Sequence, residues 1–169
     1  MLDLERTVLG LGSALKARGL MLATAESCSG GLLAGALTAV SGSSEWFKGG
    51  VVAYANEAKV KLLGVEPEGI ARHGAVSEAV ALAMARGALS ALDAQAAVAI
   101  TGIAGPTGGT PDKPVGTVWI AWAWPGPTGA MNRAEGHLFP GDREQVRQAS
   151  VERAVLGLAE RLGRATALV

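Results

Sequence analysis

Two hydroxyls and a thiol stand side by side in a segment that could hold a nucleophile. Ser27, Cys28 and Ser29 lie between an apolar run, 20–25, that predicts a buried strand and an apolar stretch, 32–40, that predicts a helix. A turn from strand to helix presents unpaired backbone N–H groups and the positive helix end to a cleft. Such a turn can hold a nucleophile, an oxyanion or a phosphate. The alternative is that the two serines only cap the helix, as serine often does.

The residue types in this turn favour a serine enzyme that lacks the usual relay. Ser27 is not part of a GxSxG motif, and no Asp/His pair is evident. Cys28 would need an activating base, and a lone cysteine is more often a small buried apolar residue. Gly30 and Gly31 follow, and their backbone N–H groups could stabilise an oxyanion. A serine nucleophile here needs a different base.

Lys59 is the candidate base. Asn56 is a plausible N-cap for a short helix over 57–63, which places Lys59 in the first helical turn. The positive helix end and burial both disfavour the ammonium form and so favour a neutral amine that accepts the proton of Ser27. Tyr54, at the end of the preceding strand, could relay or hold that proton. The alternative is a solvated lysine beside a packed tyrosine.

A glycine-dense loop over 101–109 follows another apolar strand and is the third candidate segment. Thr101, Gly102 and Gly105 belong to it, and it matches neither GxxxxGK[ST] nor GxGxxG. Its glycines allow close approach of the backbone to a ligand, and its amides could cradle a phosphate. The alternative is a flexible connection between two strands.

Arg143 and Arg147 are four residues apart at the start of the last predicted helix. They share one helix face and repel each other, and an anion between them would relieve that repulsion. The alternative is a pair of solvent-facing charges that pair with Glu144 or other nearby acids.

Alternating helical and apolar strand patterns must position these segments. They predict a three-layer α/β domain with a mostly parallel sheet, in one domain over residues 1–169. Ligands of open α/β sheets bind beyond the carboxyl ends of strands, so the three loops can converge on one cleft. The strand over 115–124 is apolar on both faces, so its tryptophans are interpreted as core. The predicted strands cover 20–25, 51–54, 96–100, 115–124 and 133–139, and predicted helices include 32–40, 57–63, 67–72 and 78–92.

Composition excludes several classes of protein. The 169 residues contain 49% hydrophobic and 18% charged residues, which indicates a globular chain. Lys+Arg and Asp+Glu are both 15, so we expect no large nucleic-acid surface, and the low net charge favours self-association. No apolar run approaches a membrane span. One cysteine and no recognisable leader favour the cytoplasm, and two histidines without HExxH or CxxC disfavour a metal site.

Five segments together resemble the motifs of a known family. Ser29 stands where the family's TAESCTGG motif usually has threonine, and Ala55 replaces the serine of its YSNEAK segment. Neither departure affects the candidate nucleophile or base. The segments are residues 24–31, 50–59, 74–77, 101–117 and 141–147.

The family is the CinA C-terminal domain family, also called the competence/damage-inducible family, and the resemblance covers nearly the whole chain. It implies a nicotinamide-nucleotide amidohydrolase, which converts nicotinamide mononucleotide to nicotinate mononucleotide and ammonia in pyridine-nucleotide salvage. It further implies an α/β/α fold with a mixed sheet, commonly as a homodimer. We expect no metal or organic cofactor and a small nucleotide as the substrate.

The resemblance also assigns residues to roles. The family's proposed nucleophile corresponds to Ser27, and its lysine and tyrosine partners correspond to Lys59 and Tyr54. We expect the substrate to be bound by Ser29, Gly30, Gly31, Asn56, Thr101, Gly102, Gly105, Arg143 and Arg147.

Two other functions stay open from the sequence. One is a non-catalytic nucleotide-binding module linked to competence or DNA repair, which would bind a nucleotide without releasing ammonia. The other is a phosphate-ester or pyrophosphate hydrolase, which would need a metal. Histidines and clustered acidic residues are scarce, which disfavours a metal-dependent hydrolase of this kind.

Overall fold

The computed structural model describes residues 3–166, with side chains to residue 163. Helices and strands alternate along most of this length, as the sequence pattern predicts. In chain order the elements are α1 (Leu4–Ala17), β1 (Leu22–Glu26), α2 (Leu32–Thr38), β2 (Phe47–Val52), α3 (Asn56–Leu63), α4 (Pro67–His73), α5 (Glu78–Leu92), β3 (Ala96–Gly102), β4 (Thr117–Gly126), β5 (Gly129–Leu138) and α6 (Arg143–Thr166).

The five described strands form one mixed sheet in the order β2-β1-β3-β4-β5. β1 pairs in parallel with β2 and β3, whereas β4 pairs antiparallel with β3 and with β5. Four of these strands therefore run in one direction, which confirms a mostly parallel mixed sheet. Antiparallel pairing is nevertheless more extensive than expected, because the loop from β3 to β4 contains no crossover helix and can only return antiparallel.

Helices cover both faces of the sheet and complete the expected three layers. On one face α1, α2 and α6 pack against the larger side chains of β1, β3 and β4, including Leu22, Val98 and Ile120. On the other face α3 and α5 pack against alanines of the same strands, and α4 contacts α5. The small side chains bring α5 close to the sheet. This second layer carries the candidate base.

The start of β2 differs from the prediction. Gly49 and Gly50, expected to precede a strand at Val51, lie inside a strand that begins at Phe47. A Cβ at Gly50 would collide with the Thr24 hydroxyl on the neighbouring strand, so this position requires close approach of the backbone. Glycine has a low strand propensity, which hid the start of the strand.

β5 begins four residues earlier than predicted, at Gly129 rather than Arg133. A two-residue loop joins it directly to β4, and Gly126 pairs with Gly129 at the hairpin end. The strand pairing therefore extends into the segment between the two predicted strands, 115–124 and 133–139. The other boundaries shift by one or two residues, as helix and strand ends commonly do.

Trp122 in β4 is core, as predicted, while Trp119 and Trp124 of the same strand are partly buried and pack against the core. Trp122 is fully buried, and its indole N–H donates a 2.8 Å hydrogen bond to the backbone carbonyl of Ala154 in α6. The guanidinium of Arg161 lies 3.9 Å from the ring centroid. Trp122 therefore anchors α6 to β4 and with it the end of α6 that carries Arg143 and Arg147.

The crossing of α3 and α5 gives a test of this packing. A Cβ at Gly87 in α5 would collide with the backbone carbonyl of Leu63, at the end of the helix that carries the base. Gly87→Ala should therefore lower the free energy of unfolding by roughly 3 kcal/mol. Gly10→Ala is the matched control, because no atom lies within 4 Å of its Cβ, and it should raise stability by up to about 1 kcal/mol. Urea denaturation measures both, and equal effects would contradict this packing.

Candidate active site

The serine turn, residues 27–31, is held in a fixed shape at the end of β1. Ser27 N–H donates to the carbonyl of Ile100 on β3 at 2.9 Å, and Gly30 N–H donates to the carbonyl of Ser27 at 3.0 Å. Gly30 and Gly31 have φ angles of 59° and 100°, a region that glycine adopts without strain. The two glycines let the chain reverse sharply, and Ser27 then sits above the carboxyl ends of the parallel strands.

A carboxylate that the sequence analysis did not single out caps α2. Glu26 accepts hydrogen bonds from the backbone N–H groups of Leu33 at 2.8 Å and Ala34 at 3.0 Å. Neither serine side chain bonds to the start of this helix, although the Ser29 carbonyl accepts the N–H of Leu32 at 3.0 Å, so the interpretation of Ser27 and Ser29 as side-chain caps is wrong. The Ser29 hydroxyl is buried and has no hydrogen-bond partner among the described residues. Glu26 lies six residues before the start of α2, outside the first turn where an acidic cap is expected, so the sequence contains no local signal for this role.

Lys59 lies beside the candidate nucleophile. Its Nζ is 2.9 Å from Ser27 Oγ, 3.0 Å from the carbonyl oxygen of Ala53 and 3.1 Å from that of Tyr54. The Lys59 side chain is 1% exposed and Ser27 is 8% exposed. The alternative of a solvated lysine is therefore wrong, and the predicted contact between residues 59 and 27 is present.

The three partners of Lys59 can hold a neutral amine in position for proton transfer. The carbonyls of Ala53 and Tyr54 can only accept, so they take the two N–H groups of a neutral amine. The remaining lone pair then faces Ser27 Oγ. Burial lowers the pKa of Lys59 from its ordinary 10.5, because the charged ammonium loses hydration in the protein interior. The site therefore favours an amine that can accept a proton from serine.

α3 starts one residue earlier than predicted. Ala55 is the N-cap and Asn56 is already helical, so Asn56 does not cap the helix with its side chain. Asn56 instead lines the rim of the cleft. Lys59 lies one turn into the helix on its buried side. Burial is the leading cause of its lowered pKa.

Cys28 is a buried structural residue. Burial raises the pKa of its thiol to about 11, so the thiolate is scarce near neutral pH. Its Sγ lies close to Gly102, where a side chain would collide with Val118. The interpretation of Cys28 as a small buried apolar residue is confirmed, and Ser27 is the nucleophile candidate that remains beside a base.

Tyr54 contacts Lys59 through its backbone only. Its carbonyl accepts from the lysine, while its phenol is 60% exposed and accepts a 3.1 Å hydrogen bond from Arg143. The phenol therefore does not relay the serine proton in this arrangement. It forms part of the cleft wall with Arg143.

The two arginines of α6 hold separate loops. Arg143 donates to the carbonyl of Gly105 at 2.9 Å. Arg147 donates to the carbonyls of Cys28 at 3.2 Å and Ser29 at 3.1 Å. Both arginines also line one small cavity together with Glu144 and Gln148, so an anion shared between them stays a prediction. Arg147 fixes the serine turn and is not in the cleft wall, whereas Arg143 lines the cleft.

The glycine-dense loop is fastened to the segment before α5. Thr101 is buried, and its hydroxyl donates to the carbonyl of Ala75 at 2.9 Å. Lys113 donates to the carbonyl of His73 at 2.7 Å. These contacts favour an ordered wall over a loose connection. Gly102 and Gly105 both face the cleft.

The three loops converge on one cleft of about 280 Å³, as predicted. Its wall carries two basic side chains, those of Lys59 and Arg143, and no acidic one. Ser29, Gly30, Gly31 and Arg147, expected to bind substrate, are not part of that wall. The lining residues are Ser27, Cys28, Tyr54, Asn56, Lys59, Ala75, Val76, Thr101, Gly102, Ile103, Ala104, Gly105, Thr107, Gly108 and Arg143.

A second cavity, of about 560 Å³, lies between α3, α4 and α5 and includes His73 and Arg86. It is larger than the cleft but holds no nucleophile beside a base. The lining residues therefore make the smaller cavity the candidate active site. Among the described residues, no three His, Cys, Asp or Glu side chains are grouped to hold a metal ion. No described helix is both long enough and apolar enough to cross a bilayer.

A family model and several known proteins match most of this chain. The family model of the CinA C-terminal domain matches residues 5–162. The nicotinamide-nucleotide amidohydrolase PncC of Escherichia coli K12 is 51% identical over 145 residues, which cover 86% of each chain. A CinA-like protein of Salinibacter ruber is 52% identical over 133 residues, which are 79% of this chain and 31% of that protein.

Solved structures share the fold. A CinA superfamily protein from Klebsiella pneumoniae superposes with a TM-score of 0.90 at 40% identity, over 96% of this chain and 99% of the other. The competence/damage inducible protein CihA from Agrobacterium tumefaciens has a TM-score of 0.86 at 41% identity, over 96% and 97% of the two chains. These proteins are therefore similar to this chain in sequence as well as in fold.

Burial of Lys59 predicts a pH-dependent stability. Above its lowered pKa the folded protein holds a neutral amine, whereas the unfolded chain still binds a proton up to about pH 10.5. The unfolded state then binds more protons, so raising the pH favours folding across that window. The free energy of unfolding of the wild type should therefore rise with pH relative to that of Lys59→Met. Urea denaturation of both proteins from neutral pH to pH 10 measures this difference, and parallel pH curves would contradict it.

Proposed function

Because the chain belongs to the CinA C-terminal domain family, we propose that it hydrolyses the carboxamide of nicotinamide mononucleotide to nicotinate mononucleotide and ammonia. Relatives named nicotinamide-nucleotide amidohydrolase, 51% identical over 86% of the chain, support this substrate. The observation that carries the proposal is the 2.9 Å contact between Lys59 Nζ and Ser27 Oγ inside a cleft. An amide needs a strong nucleophile at neutral pH, and this pair can generate one.

The proposed reaction is acyl transfer in two halves. Neutral Lys59 accepts the hydroxyl proton of Ser27 while Ser27 Oγ bonds to the carboxamide carbon. The lysine ammonium then gives that proton to the leaving nitrogen, the C–N bond breaks, and ammonia departs from a serine ester. Water attacks the ester, Lys59 takes a proton from the water and returns it to Ser27 Oγ, and the acid is released.

Only one of the two donors first expected stays available for the oxyanion of this reaction. Gly30 N–H donates to the carbonyl of Ser27, and the first-turn amides of α2 donate to Glu26. These groups are therefore occupied by the fold. Of the two glycine amides expected to stabilise the oxyanion, we retain only that of Gly31 in the proposal.

The charge of the cleft supports an anionic substrate. Arg143 is the cationic residue of its wall, since Lys59 is neutral in the proposed mechanism, and the wall has no acidic side chain. Arg143 sits at the exposed end beside the Tyr54 phenol, while Lys59 sits at the buried end beside Ser27. This polarity suits a mononucleotide whose amide enters first and whose phosphate stays near Arg143. Neutralising the nucleotide's phosphate would remove that orientation.

Loss of the serine or of the lysine should abolish ammonia release. Ser27→Ala removes the nucleophile and Lys59→Met removes the base, and each should lower kcat by at least about a thousandfold. Lys61→Met is the control, because Lys61 is an exposed lysine on the same helix, and it should keep wild-type turnover. A coupled ammonia assay with the mononucleotide measures all three. Full turnover by Ser27→Ala would contradict the mechanism, and tight nucleotide binding without turnover by the wild type would indicate the non-catalytic binding module.

Arg143 should distinguish the mononucleotide from its riboside. Replacing Arg143 with Met removes a charge-assisted contact worth roughly 1.5–3 kcal/mol, so KM for the mononucleotide should rise about 10- to 100-fold. KM for nicotinamide riboside, which lacks the phosphate, should change little. Steady-state ammonia release with both substrates measures this. An equal rise in both KM values would place the phosphate elsewhere.

A further inference from the structure

Glu26 is a buried carboxylate between the sheet and the serine turn. It is the last residue of β1, directly before Ser27, and it is 1% exposed. Among the described residues it has no ion-pair partner, and both of its carboxylate oxygens accept backbone N–H groups, from Leu33 and Ala34. A buried charge without a cation is costly unless its hydrogen bonds are satisfied, so this arrangement is specific.

The carboxylate closes a ring around the nucleophile. Its two hydrogen bonds join the end of β1 to the first turn of α2 and so enclose residues 27–31. The enclosed turn contains two glycines with positive φ, which would otherwise leave the backbone with much conformational freedom. α2 has no other side-chain cap, because its N-cap is Gly31. The position of Ser27 Oγ therefore depends on this carboxylate.

The backbone of the same residue is linked to the base. The carbonyl of Glu26 accepts the N–H of Ala53 at 2.8 Å, and the carbonyl of Ala53 accepts Lys59 Nζ at 3.0 Å. Glu26 is thus joined to the nucleophile through its side chain and the turn, and to the base through β2. The distance between Ser27 Oγ and Lys59 Nζ depends on both connections.

We infer that Glu26 is a positioning residue, which holds Ser27 in proton-transfer contact with Lys59 by ligating the first-turn amides of α2. This inference rests on the proposed Ser27–Lys59 chemistry and deepens it. Glu26 touches neither the substrate nor the reacting atoms. It also reserves the positive end of α2 for an internal carboxylate, so a substrate anion does not bind there.

Glu26→Gln is the direct test. Its amide group places an N–H₂ against a backbone N–H, so one of the two hydrogen bonds is lost at nearly constant size. Displacement of the nucleophile by a fraction of an ångström should lower kcat roughly 10- to 100-fold, while KM changes less than about twofold because the cleft wall is intact. Glu26→Asp keeps both acceptors on a shorter chain and should recover part of kcat. The control is Glu57→Gln, an exposed acid on α3.

A second readout does not depend on the substrate. A fluorophosphonate probe forms an Oγ–P bond with Ser27 and releases fluoride, and intact mass measures its rate, with Ser27→Ala as the blank. The Glu26→Gln rate should fall by the same factor as kcat, and Glu26→Asp provides the comparison if the glutamine variant does not fold. Probe labelling or kcat at the wild-type level in a Glu26 variant would overturn the inference. A wild type that labels but releases no ammonia would refute the proposed substrate and leave the labelling test of Glu26 valid.

Discussion

The contact between Lys59 and Ser27 depends on burying an amine that water would otherwise keep protonated. Exposed to solvent, Lys59 would carry a charge and could not accept the serine proton. In the fold its side chain is 1% exposed, and two backbone carbonyls hold its N–H groups. Those carbonyls stabilise either protonation state by hydrogen bonding, so desolvation decides the balance. The sheet, the helices and the loops around Lys59 and Ser27 keep both side chains buried.

Hydrogen bonds from several elements hold the segments that carry Ser27 and Lys59 in place. Glu26 fixes the turn from the side of α2, Arg147 holds the same turn from α6, and Arg143 joins α6 to the glycine-dense loop. Trp122 in turn fixes α6 on the sheet. Each of these side chains bonds to a backbone group, which suits positioning because a backbone oxygen or N–H has no rotamers. The substrate cleft is therefore shaped largely before any ligand arrives, which limits the entropy lost on binding.

Much of this site could be predicted from the sequence, and the rest required coordinates. Ser27 and Lys59 are 32 residues apart, yet each follows a parallel strand, so the rule for strand ends places them together. The partners of Arg143 and Arg147 could not be predicted, because they are backbone oxygens of distant loops. The role of the Glu26 side chain was not predicted, because the residues beside it in the sequence do not indicate which backbone N–H groups it reaches. The antiparallel return of β4 was missed because a glycine-dense loop carries no directional pattern.

The pKa of Lys59 is the quantity on which the account most directly depends. Protein with ¹³C-labelled lysine allows each Cε resonance to be followed through a pH titration, and Lys59→Met identifies the signal of residue 59. Burial predicts that this resonance titrates at a lower pH than those of exposed lysines such as Lys61, below the ordinary value of 10.5. A Lys59 signal that titrates together with the exposed lysines would show a charged amine at neutral pH and would contradict its role as the base.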